Sequence, residues 1–293
     1  MGLGFAPDLM AGRVAVLTGG GGAICGEAAC MLAAAGCEVV VADIDADRLA
    51  AVAARVRAET GRVALTVAGD LRTAEGMEAL ASAAFERHQR VDVLVNGLGE
   101  HLASAGPHED GAEEVWQALY EVNLLHVFRA TKAFVPAMKR QGWGRIVNFS
   151  SVEGARAAPA LAVYAAFKRG VDGFTRSLAV DLARHGILVN AVAVDKTRAH
   201  QVGRYELPEE YARLAHTWVP AGRYGEPADV ASIVVFLASP LNTWIVGDTV
   251  NADGGTLAAG GWLRTPARWT NQPLLVQYLE DPDVNAARPP AVQ

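Results

Sequence analysis

The stretch VAVLTGGGGAICG (residues 14–26) joins a short apolar run directly to four consecutive glycines and then to an Ala-rich segment. The apolar run is typical of a buried β-strand, and the Ala-rich segment is typical of a helix. A glycine-rich turn between the two lets backbone N–H groups and the positive helix end approach a pyrophosphate. A glycine run alone can also be a flexible loop. Its position directly after the first predicted strand favours a dinucleotide-binding turn.

Short β-branched runs alternate with longer Ala-rich helical patterns along the rest of the chain. This alternation predicts βαβ units, and therefore a doubly wound parallel sheet with helices on both faces. The predicted strands are Val14–Thr18, Glu38–Ala42, Val63–Val67, Val91–Asn96, Arg145–Phe149, Leu188–Val192 and Thr249–Ala252. The predicted helices include Ala46–Glu59, Thr73–His88, Glu113–Arg140, Ala162–His185 and Pro227–Ala238. We predict a single α/β (Rossmann) domain over residues 1–255 and a C-terminal extension over residues 256–293.

Composition narrows the possible functions. Hydrophobic residues make up 51% of the 293 residues and charged residues 20%, which is enough apolar material for a sizeable core. A net charge of −6 without a Lys/Arg-rich run argues against nucleic-acid binding. No signal-peptide pattern and no apolar run of membrane-spanning length are found, so we expect a cytoplasmic protein without a membrane partner. Three cysteines without a Cys-x-x-Cys pair argue against a disulfide framework and a zinc site, and no metal is expected.

Asp43 follows the second predicted strand, about two dozen residues past the first glycine. A carboxylate there can accept hydrogen bonds from the adenosine ribose hydroxyls of NAD, and it would repel the 2′-phosphate of NADP. Alternatively, Asp43 is a solvated residue before a helix that Asp45 caps. No Lys or Arg occurs from Val14 through Asp47, although a site for NADP would need a cation in that window. The sequence therefore predicts NAD as the cofactor.

Tyr164 and Lys168 lie four residues apart on one face of a predicted helix. A phenol normally has a pKa of about 10, so it needs a nearby cation to exchange protons around neutrality. Lys168 would supply that cation. Such a pair is often only an ordinary surface contact. Here Ser151 precedes Tyr164 at the end of an apolar strand, and this context predicts Tyr164 as a proton-transferring group.

Taken together, these residues resemble the short-chain dehydrogenase/reductase family over nearly the whole chain up to Gly255. The resemblance extends to three further segments, Val91-Asp-Val-Leu-Val-Asn96-Gly-Leu-Gly99, Gly222-Arg-Tyr-Gly-Glu-Pro227 and Asp253-Gly-Gly255, and to Asn123 in Val-Asn-Leu. It implies a doubly wound sheet of seven strands. It also implies an NAD-dependent oxidoreductase that interconverts a secondary alcohol and a ketone. The family further implies a homo-oligomer, a tetramer or a dimer, built partly from the helices that carry Asn123 and Tyr164.

The resemblance implies a role for each catalytic position. Tyr164 would donate its proton to the carbonyl oxygen in reduction or remove the hydroxyl proton in oxidation. Ser151 would hydrogen-bond the same oxygen. Lys168 would bind the nicotinamide ribose and lower the pKa of Tyr164, and Asn123 would hold a water that links Lys168 to solvent. The implied cofactor contacts are Thr18, Gly19, Gly22, Ile24, Asp43, Ile44, Asp70, Leu71, Asn96, Gly97, Tyr164, Lys168, Val194 and Thr197.

Several positions depart from the family pattern. Ala23 and Cys25 stand where glycines are usual, and Gly97-Leu98 replaces Asn-Ala. Cys25, near a helix start, is either a thiol of lowered pKa or a small packing residue. Val194-Asp195 replaces the usual Pro-Gly beside the nicotinamide. Asp195 either contacts substrate or the cofactor carboxamide, or it caps the next helix.

Specificity is expected to lie in three variable places: Glu100-His101, Val152-Glu153, and the loop from Val194 to about Trp218, which contains His200 and Tyr205. The predicted substrate contacts Glu100, His101, Glu153 and Asp195 indicate a polar substrate face. Beyond Gly255, the chain is either a disordered tail or a segment that docks through Trp262, Trp269 and Tyr278 on the core or a neighbouring subunit.

Two other classes of function remain open at this point. One is a non-catalytic NAD-binding regulator on the same fold, since a fold does not determine a function. The presence of Ser151, Tyr164, Lys168 and Asn123 together counts against it. The other is an epimerase or dehydratase of related extended families that share Tyr-x-x-x-Lys, which the compact ending at Asp253-Gly-Gly255 disfavours.

Overall fold

A computed structural model describes residues 5–102, 104–198, 214–264 and 269–271. Its centre is a seven-stranded sheet in the order β3-β2-β1-β4-β5-β6-β7, in which every pairing is parallel. The strands are β1 Val14–Thr18, β2 Glu38–Asp43, β3 Leu65–Ala68, β4 Val93–Asn96, β5 Gly144–Ser151, β6 Ile187–Val194 and β7 Thr249–Ala252. The predicted doubly wound, seven-stranded fold is confirmed. Strand order reverses at β1, and in such sheets ligands bind at the carboxyl ends of the strands at this switch point.

Helices cover both faces of the sheet. They are α1 Ala23–Ala34, α2 Ala46–Thr60, α3 Ala74–His88, α4 Glu113–Tyr120, α5 His126–Gln141, α6 Ala162–Ala183, α7 Ala215–Trp218, α8 Pro227–Ala238 and α9 Thr256–Ala259. Buried side chains of α1, α2 and α8 form one apolar layer with the sheet, and those of α3, α5 and α6 form the other. The strands β1 and β5 are buried at every position, because both of their faces are covered.

Short polar residues fix where two of these helices begin. Asp45 accepts hydrogen bonds from the backbone N–H groups of Asp47 and Arg48, each at 3.1 Å, and so caps α2 as predicted. Thr73 caps α3 in the same manner through the N–H of Gly76 at 3.0 Å. These caps satisfy N–H groups that have no partner within their own helix.

The predicted helix Glu113–Arg140 is helical throughout, but it contains a π-helical turn at Glu121–Leu125 between α4 and α5. At this turn the Nδ2 of Asn123 donates to the carbonyl of Leu119 at 3.0 Å. Single π turns are often found at functional sites.

Two strands begin two residues later than predicted, while β5 and β6 each extend beyond both predicted ends. The third strand begins at Leu65 rather than Val63, whose side chain is exposed. The fourth begins at Val93 rather than Val91. An apolar residue that only flanks a strand has the same sequence signal as one inside it.

After Gly255 the chain forms α9 and a two-stranded antiparallel pair, β8 Leu263–Arg264 and β9 Trp269–Thr270. The strand β8 lies beside α7. His200, Tyr205 and Tyr278, named in the sequence predictions, lie outside the described residues. Within the described ranges, every helix is too short or too polar to cross a bilayer.

Candidate active site

A cleft of about 730 Å³ lies at the carboxyl ends of the central strands. It extends from Asp43, at the end of β2, to Tyr164, near the start of α6. The following predicted residues line it: Gly19, Gly22, Ile24, Asp43, Ile44, Gly97, Glu100, His101, Ser151, Glu153, Tyr164, Lys168, Val194 and Asp195. The fold thus brings many of the predicted cofactor residues into one space with Ser151, Tyr164 and Lys168 and with the predicted substrate residues.

The glycine turn after β1 is built for close backbone approach. Gly19 has a φ of +65°, a conformation that side-chain-bearing residues rarely adopt. A Cβ at Gly19 would lie 2.9 Å from the carbonyl oxygen of Gly97, and one at Gly20 would lie 2.8 Å from the Cβ of Val41. Gly22 precedes the first turn of α1, whose N–H groups face the cleft end of the helix. This cradle, which a Cβ would fill, fits the pyrophosphate of a dinucleotide.

Two departures from the family pattern compensate each other. The Sγ atom of Cys25 occupies the space that a Cβ at Gly97 would require. Burial, followed by the nearby Asp43 carboxylate, raises the pKa of the Cys25 thiol to about 12. The alternative of a lowered thiol pKa is therefore wrong, because desolvation outweighs the helix end, and Cys25 is a packing residue.

Asp43 is held rigidly at the adenosine end of the cleft. Its Oδ2 accepts a hydrogen bond from the N–H of Gly21, and its Oδ1 accepts one from the N–H of Asp45, both at 3.1 Å. Arg48 also lines the cleft there, with its Nε 3.0 Å from Oδ2 of Asp45. The segment Val14–Asp47, which contains no Lys or Arg, ends one residue before Arg48. The position of Arg48 three residues after the helix cap Asp45 could have indicated that a cation lies at this end of the cleft.

Some predicted cofactor residues are not among those lining the cleft: Thr18, Asp70, Leu71, Asn96 and Thr197. Thr18 instead holds the neighbouring backbone, since its Oγ1 accepts from the N–H of Gly97 at 3.2 Å. Asn96 donates to Oδ1 of Asn148 at 2.8 Å within the sheet.

The remaining three have structural partners of their own. Asp70 makes a two-pronged ion pair with Arg72, at 2.9 and 2.7 Å. Leu71 is buried in the apolar layer that contains α3. Thr197 forms an isolated bridge with Gly225. These side chains position the backbone around the cleft, and their contacts with a cofactor stay predictions.

Tyr164 and Ser151 converge at the far end of the cleft. The Ser151 Oγ donates to the carbonyl of Val194 at 3.4 Å and lies on the same cleft wall as the Tyr164 phenol. Burial raises the pKa of Tyr164 to about 12, the neighbouring Ser151 hydroxyl lowers it, and the carboxylates of Glu153, Glu100 and Asp195 raise it further. The net shift is opposite to the predicted lowering, because desolvation of the phenolate is the largest effect.

Lys168 lies behind the phenol. Its Nζ is 5.7 Å from the centre of the Tyr164 ring and donates to the carbonyl of Phe149 at 3.2 Å. Burial lowers the pKa of Lys168 to about 8, and Asp172 opposes that shift. The absence of a side chain at Gly99 permits this arrangement, since a Cβ there would lie 2.8 Å from Nζ.

Asn123 is fully buried and is not among the cleft-lining residues. Its Nδ2 donates to the carbonyl of Glu100 at 2.7 Å, and its Oδ1 accepts from the N–H of Glu100 at 3.2 Å. The side chain thus clamps the backbone that carries Glu100 and His101 into the cleft. The water relay expected of Asn123 stays a prediction.

Asp195 has two strong partners that the sequence did not indicate. Its Oδ2 accepts from Nη2 of Arg156 at 3.0 Å and from Oγ1 of Thr256 at 2.5 Å. Arg156 also binds Glu153 at 3.0 Å, so it joins two acidic residues of the cleft. Asp195 therefore faces the cleft and connects its wall to the beginning of the C-terminal extension. No local spacing signals contacts between residues so distant in the chain.

His101 completes the polar wall. Its ring meets that of Tyr164 edge to face, with centroids 6.4 Å apart, and its Nε2 is 4.0 Å from Oε1 of Glu100. Within the described ranges, no group of three or more His, Cys, Asp or Glu side chains is arranged to hold a metal ion.

Comparisons with known proteins agree with this geometry. Residues 21–256 match a family model described as enoyl-(acyl carrier protein) reductase. A 3-oxoacyl-[acyl-carrier-protein] reductase of Synechocystis sp. is 36% identical over 248 residues, covering 83% of this chain and 96% of the relative.

Two solved structures superpose on the fold. Carveol dehydrogenase from Mycobacterium avium in complex with NAD has a TM-score of 0.80 at 27% identity, covering 86% of this chain and 99% of its own. A single-residue variant of actinorhodin polyketide ketoreductase with NADPH has a TM-score of 0.77 at 35% identity, covering 83% and 97%.

The fold, the glycine turn and the Ser151–Tyr164–Lys168 cluster define an oxidoreductase with a nicotinamide dinucleotide site. The chain belongs to the short-chain dehydrogenase/reductase family.

Proposed function

We propose that this protein is an NAD-dependent enzyme that interconverts a secondary alcohol and a ketone. The observation that carries the proposal is the convergence of the Ser151 and Tyr164 hydroxyl groups on one cleft, with the Lys168 Nζ 5.7 Å from the centre of the Tyr164 ring. Two hydroxyl groups that converge in a buried place can both bond one carbonyl oxygen. This arrangement disfavours a non-catalytic regulator, which has no need of it.

The bound nicotinamide ring would supply the hydride acceptor for oxidation and the hydride donor for reduction. In oxidation, Tyr164 must act as its phenolate, which accepts the proton of the alcohol hydroxyl as hydride leaves the carbinol carbon. In reduction, Tyr164 returns that proton to the carbonyl oxygen. Ser151 orients the oxygen throughout. Lys168 would bind the nicotinamide ribose and place positive charge near the phenol.

The choice of NAD rests on Asp43. Its carboxylate is fixed by two backbone N–H groups at the edge of the cleft, where the adenosine ribose would lie. A 2′-phosphate there would meet this negative charge. Arg48 is the opposing feature, but Asp45 already pairs with it at 3.0 Å. We infer that repulsion from Asp43 is the larger effect.

The assay that tests the function is the appearance of reduced nicotinamide absorbance with a panel of secondary alcohols and NAD at alkaline pH. The panel comprises sugars, cyclic alcohols, hydroxy acids and steroids. Turnover of any member supports the proposal, whereas NAD binding without turnover of any member or of the matching ketones contradicts it. A cytoplasmic location and a homo-oligomer, tetramer or dimer, belong to the same proposal, and light scattering on the full chain tests the latter.

A further inference from the structure

A second cleft, of about 330 Å³, opens directly beside the reaction cleft. Tyr164 and Leu161 line both spaces. The remaining walls are largely apolar and include Trp116, Leu119 and Val163. The second cleft is therefore adjacent to the place where we propose that the carbinol carbon reacts, with Tyr164 between the two.

The two clefts differ in the charges on their walls. The carboxylates of Glu100, Glu153 and Asp195 line the Tyr164 end of the reaction cleft and Asp43 lines its other end, whereas the described residues that line the second cleft include no Asp or Glu. The second cleft is bounded by an aromatic pair instead, since the rings of His108 and Trp116 stack with centroids 5.1 Å apart and an angle of 4° between their planes. An apolar part of a substrate beside the carboxylates would remove water from their charges, which costs free energy. The same part would be buried against the aromatic pair with a gain in free energy.

The backbone around the second cleft is strained. Leu102 has a φ of +54° and Ala160, which lines the cleft, has a φ of +65°. Both are non-glycine residues in the left-handed region, which is unfavourable for side-chain-bearing residues. The carbonyl of Ala160 accepts a hydrogen bond from the N–H of Gly106 at 3.0 Å, and this bond ties the two strained loops together. Such strain is concentrated at ligand-binding and catalytic sites.

A polar atom in the second cleft also lacks a protein partner. Among the described residues, the Ser104 hydroxyl is shielded from solvent and has no hydrogen-bond partner. Ser104 lines the second cleft. Buried hydroxyl groups are nearly always hydrogen-bonded, and a rotation about the Cα–Cβ bond of Ser104 would turn this one toward a polar group of a ligand in the cleft.

We propose that the second cleft is a substrate subsite for a ring-bearing apolar group, held while the carbinol carbon lies at Tyr164. The proposal rests on the proposed function, because it identifies the class of substrate for the same site. The preferred substrate is a secondary alcohol or ketone with a ring-sized apolar arm and a polar atom that reaches Ser104. The stacked pair of His108 and Trp116 would pack against the ring.

The test fills the second cleft without moving its walls. A Cβ added at Gly106 meets no atom within 4 Å, and Gly106 is not in the left-handed region, so Gly106→Leu can project into the cleft. Gly173→Leu is the matched control, because Gly173 is exposed on α6 and its added Cβ also meets nothing within 4 Å. Both variants are compared with the wild-type chain by thermal unfolding, so that a folding defect is recognised.

The kinetic measurement uses cyclohexanol and its para-phenyl derivative with NAD. Gly106→Leu should raise the KM of the phenyl-bearing alcohol about tenfold or more and leave kcat/KM of cyclohexanol within about twofold. Gly173→Leu should leave both alcohols unchanged. An equal effect of Gly106→Leu on the two alcohols, or no effect on either, would overturn the subsite.

A binding measurement separates this proposal from the proposed function. The measurement is made with saturating NAD, so that benzamide, an analogue of nicotinamide, cannot occupy the nicotinamide position. Benzamide, which carries a ring and an amide but no alcohol, should then bind the wild type and Gly173→Leu in saturation-transfer NMR but not Gly106→Leu. If benzamide behaves in this way and no alcohol is oxidised, the subsite stands and the proposed function fails. If alcohols are oxidised but benzamide binds all three chains equally, the subsite fails and the proposed function stands.

Discussion

The thiol of Cys25 fills the space beside Gly97 that any side chain at that position would need. Cys25 belongs to α1 and Gly97 follows β4, so the two residues join the glycine turn to the neighbouring strand end. Each residue, considered singly, departs from the family pattern. Together the two residues preserve close packing under the glycine turn. We therefore expect substitutions at the two positions to be energetically coupled.

This coupling predicts the outcome of a double-mutant cycle. Gly97→Ala should destabilise the protein by about 1–3 kcal/mol, because it overpacks the contact. Cys25→Gly should restore part of that loss, but not all of it, since the new Cβ would still lie 2.9 Å from the Thr18 carbonyl oxygen. Urea unfolding of the four chains gives the coupling free energy, and additive losses would contradict the packing argument.

Tyr164→Phe should reduce kcat by about 10²–10⁴-fold, because it removes the oxygen that exchanges a proton with substrate. The affinity for NAD, measured by fluorescence titration, should change little. Tyr120→Phe is a suitable control, since Tyr120 packs against Phe167 with ring centroids 5.6 Å apart, away from the cleft lining. Near-normal kcat in Tyr164→Phe would exclude it as the acid–base group.

Cofactor preference should respond in opposite directions to two neighbouring substitutions. The wild type should have the higher kcat/KM with NAD. Asp43→Ala should lower the ratio of kcat/KM with NAD to kcat/KM with NADP, because it removes both the repulsion of a 2′-phosphate and the ribose hydrogen bonds. Arg48→Ala should raise this ratio, because it removes a cation that lines the cleft near such a phosphate. A wild-type preference for NADP would show that Arg48, rather than Asp43, decides the choice.

The sequence predicted the sheet, the glycine turn and the convergence of Ser151, Tyr164 and Lys168, because each depends on residues close in the chain or on strand ends that a parallel sheet brings to one edge. It could not predict the direction of the Tyr164 pKa shift. That direction depends on how completely the phenol is desolvated, and burial depends on packing between distant segments. The partners of Asp195, Arg156 and Thr256, are likewise contacts between distant segments.

The π turn within the predicted helix was missed for a related reason. The pattern from Glu113 to Arg140 is helical throughout, and no proline or glycine lies near Asn123. At the turn, the Asn123 side chain bonds both the Leu119 carbonyl and the backbone of Glu100. The contact with Glu100 joins segments that are distant in the chain, so no local pattern indicates it.

His126 predicts how stability depends on pH. Burial, and then the nearby Lys168 charge, lower the pKa of this imidazole to about 3. The unfolded chain binds a proton at His126 below its ordinary pKa of about 6.5, whereas the folded chain does not, so stability falls as pH falls from 6.5 toward 3. The slope from this group approaches about 1.4 kcal/mol per pH unit. His126→Leu should reduce the measured slope of the unfolding free energy between pH 5 and 6, roughly, by one proton.

The extension after Gly255 should matter to the active site through Thr256. Its Oγ1 donates to Asp195 at 2.5 Å, and both side chains are buried. Removing a hydrogen bond to a buried charged group costs about 1.5–3 kcal/mol, so Thr256→Val should shift Asp195 and raise the substrate KM while NAD affinity changes little.

Two shortened chains separate Thr256 from the residues that follow it. A chain that ends at Gly255 should show the same rise in substrate KM as Thr256→Val. A chain that ends at Gly261 retains the bond, and since Trp262 is only half-buried, it should keep a substrate KM near that of the wild type. Thermal unfolding confirms that each shortened chain is folded. Unchanged kinetics in Thr256→Val would remove Asp195 from the determinants of substrate binding, whereas a raised KM in the chain ending at Gly261 would assign that effect to residues beyond it.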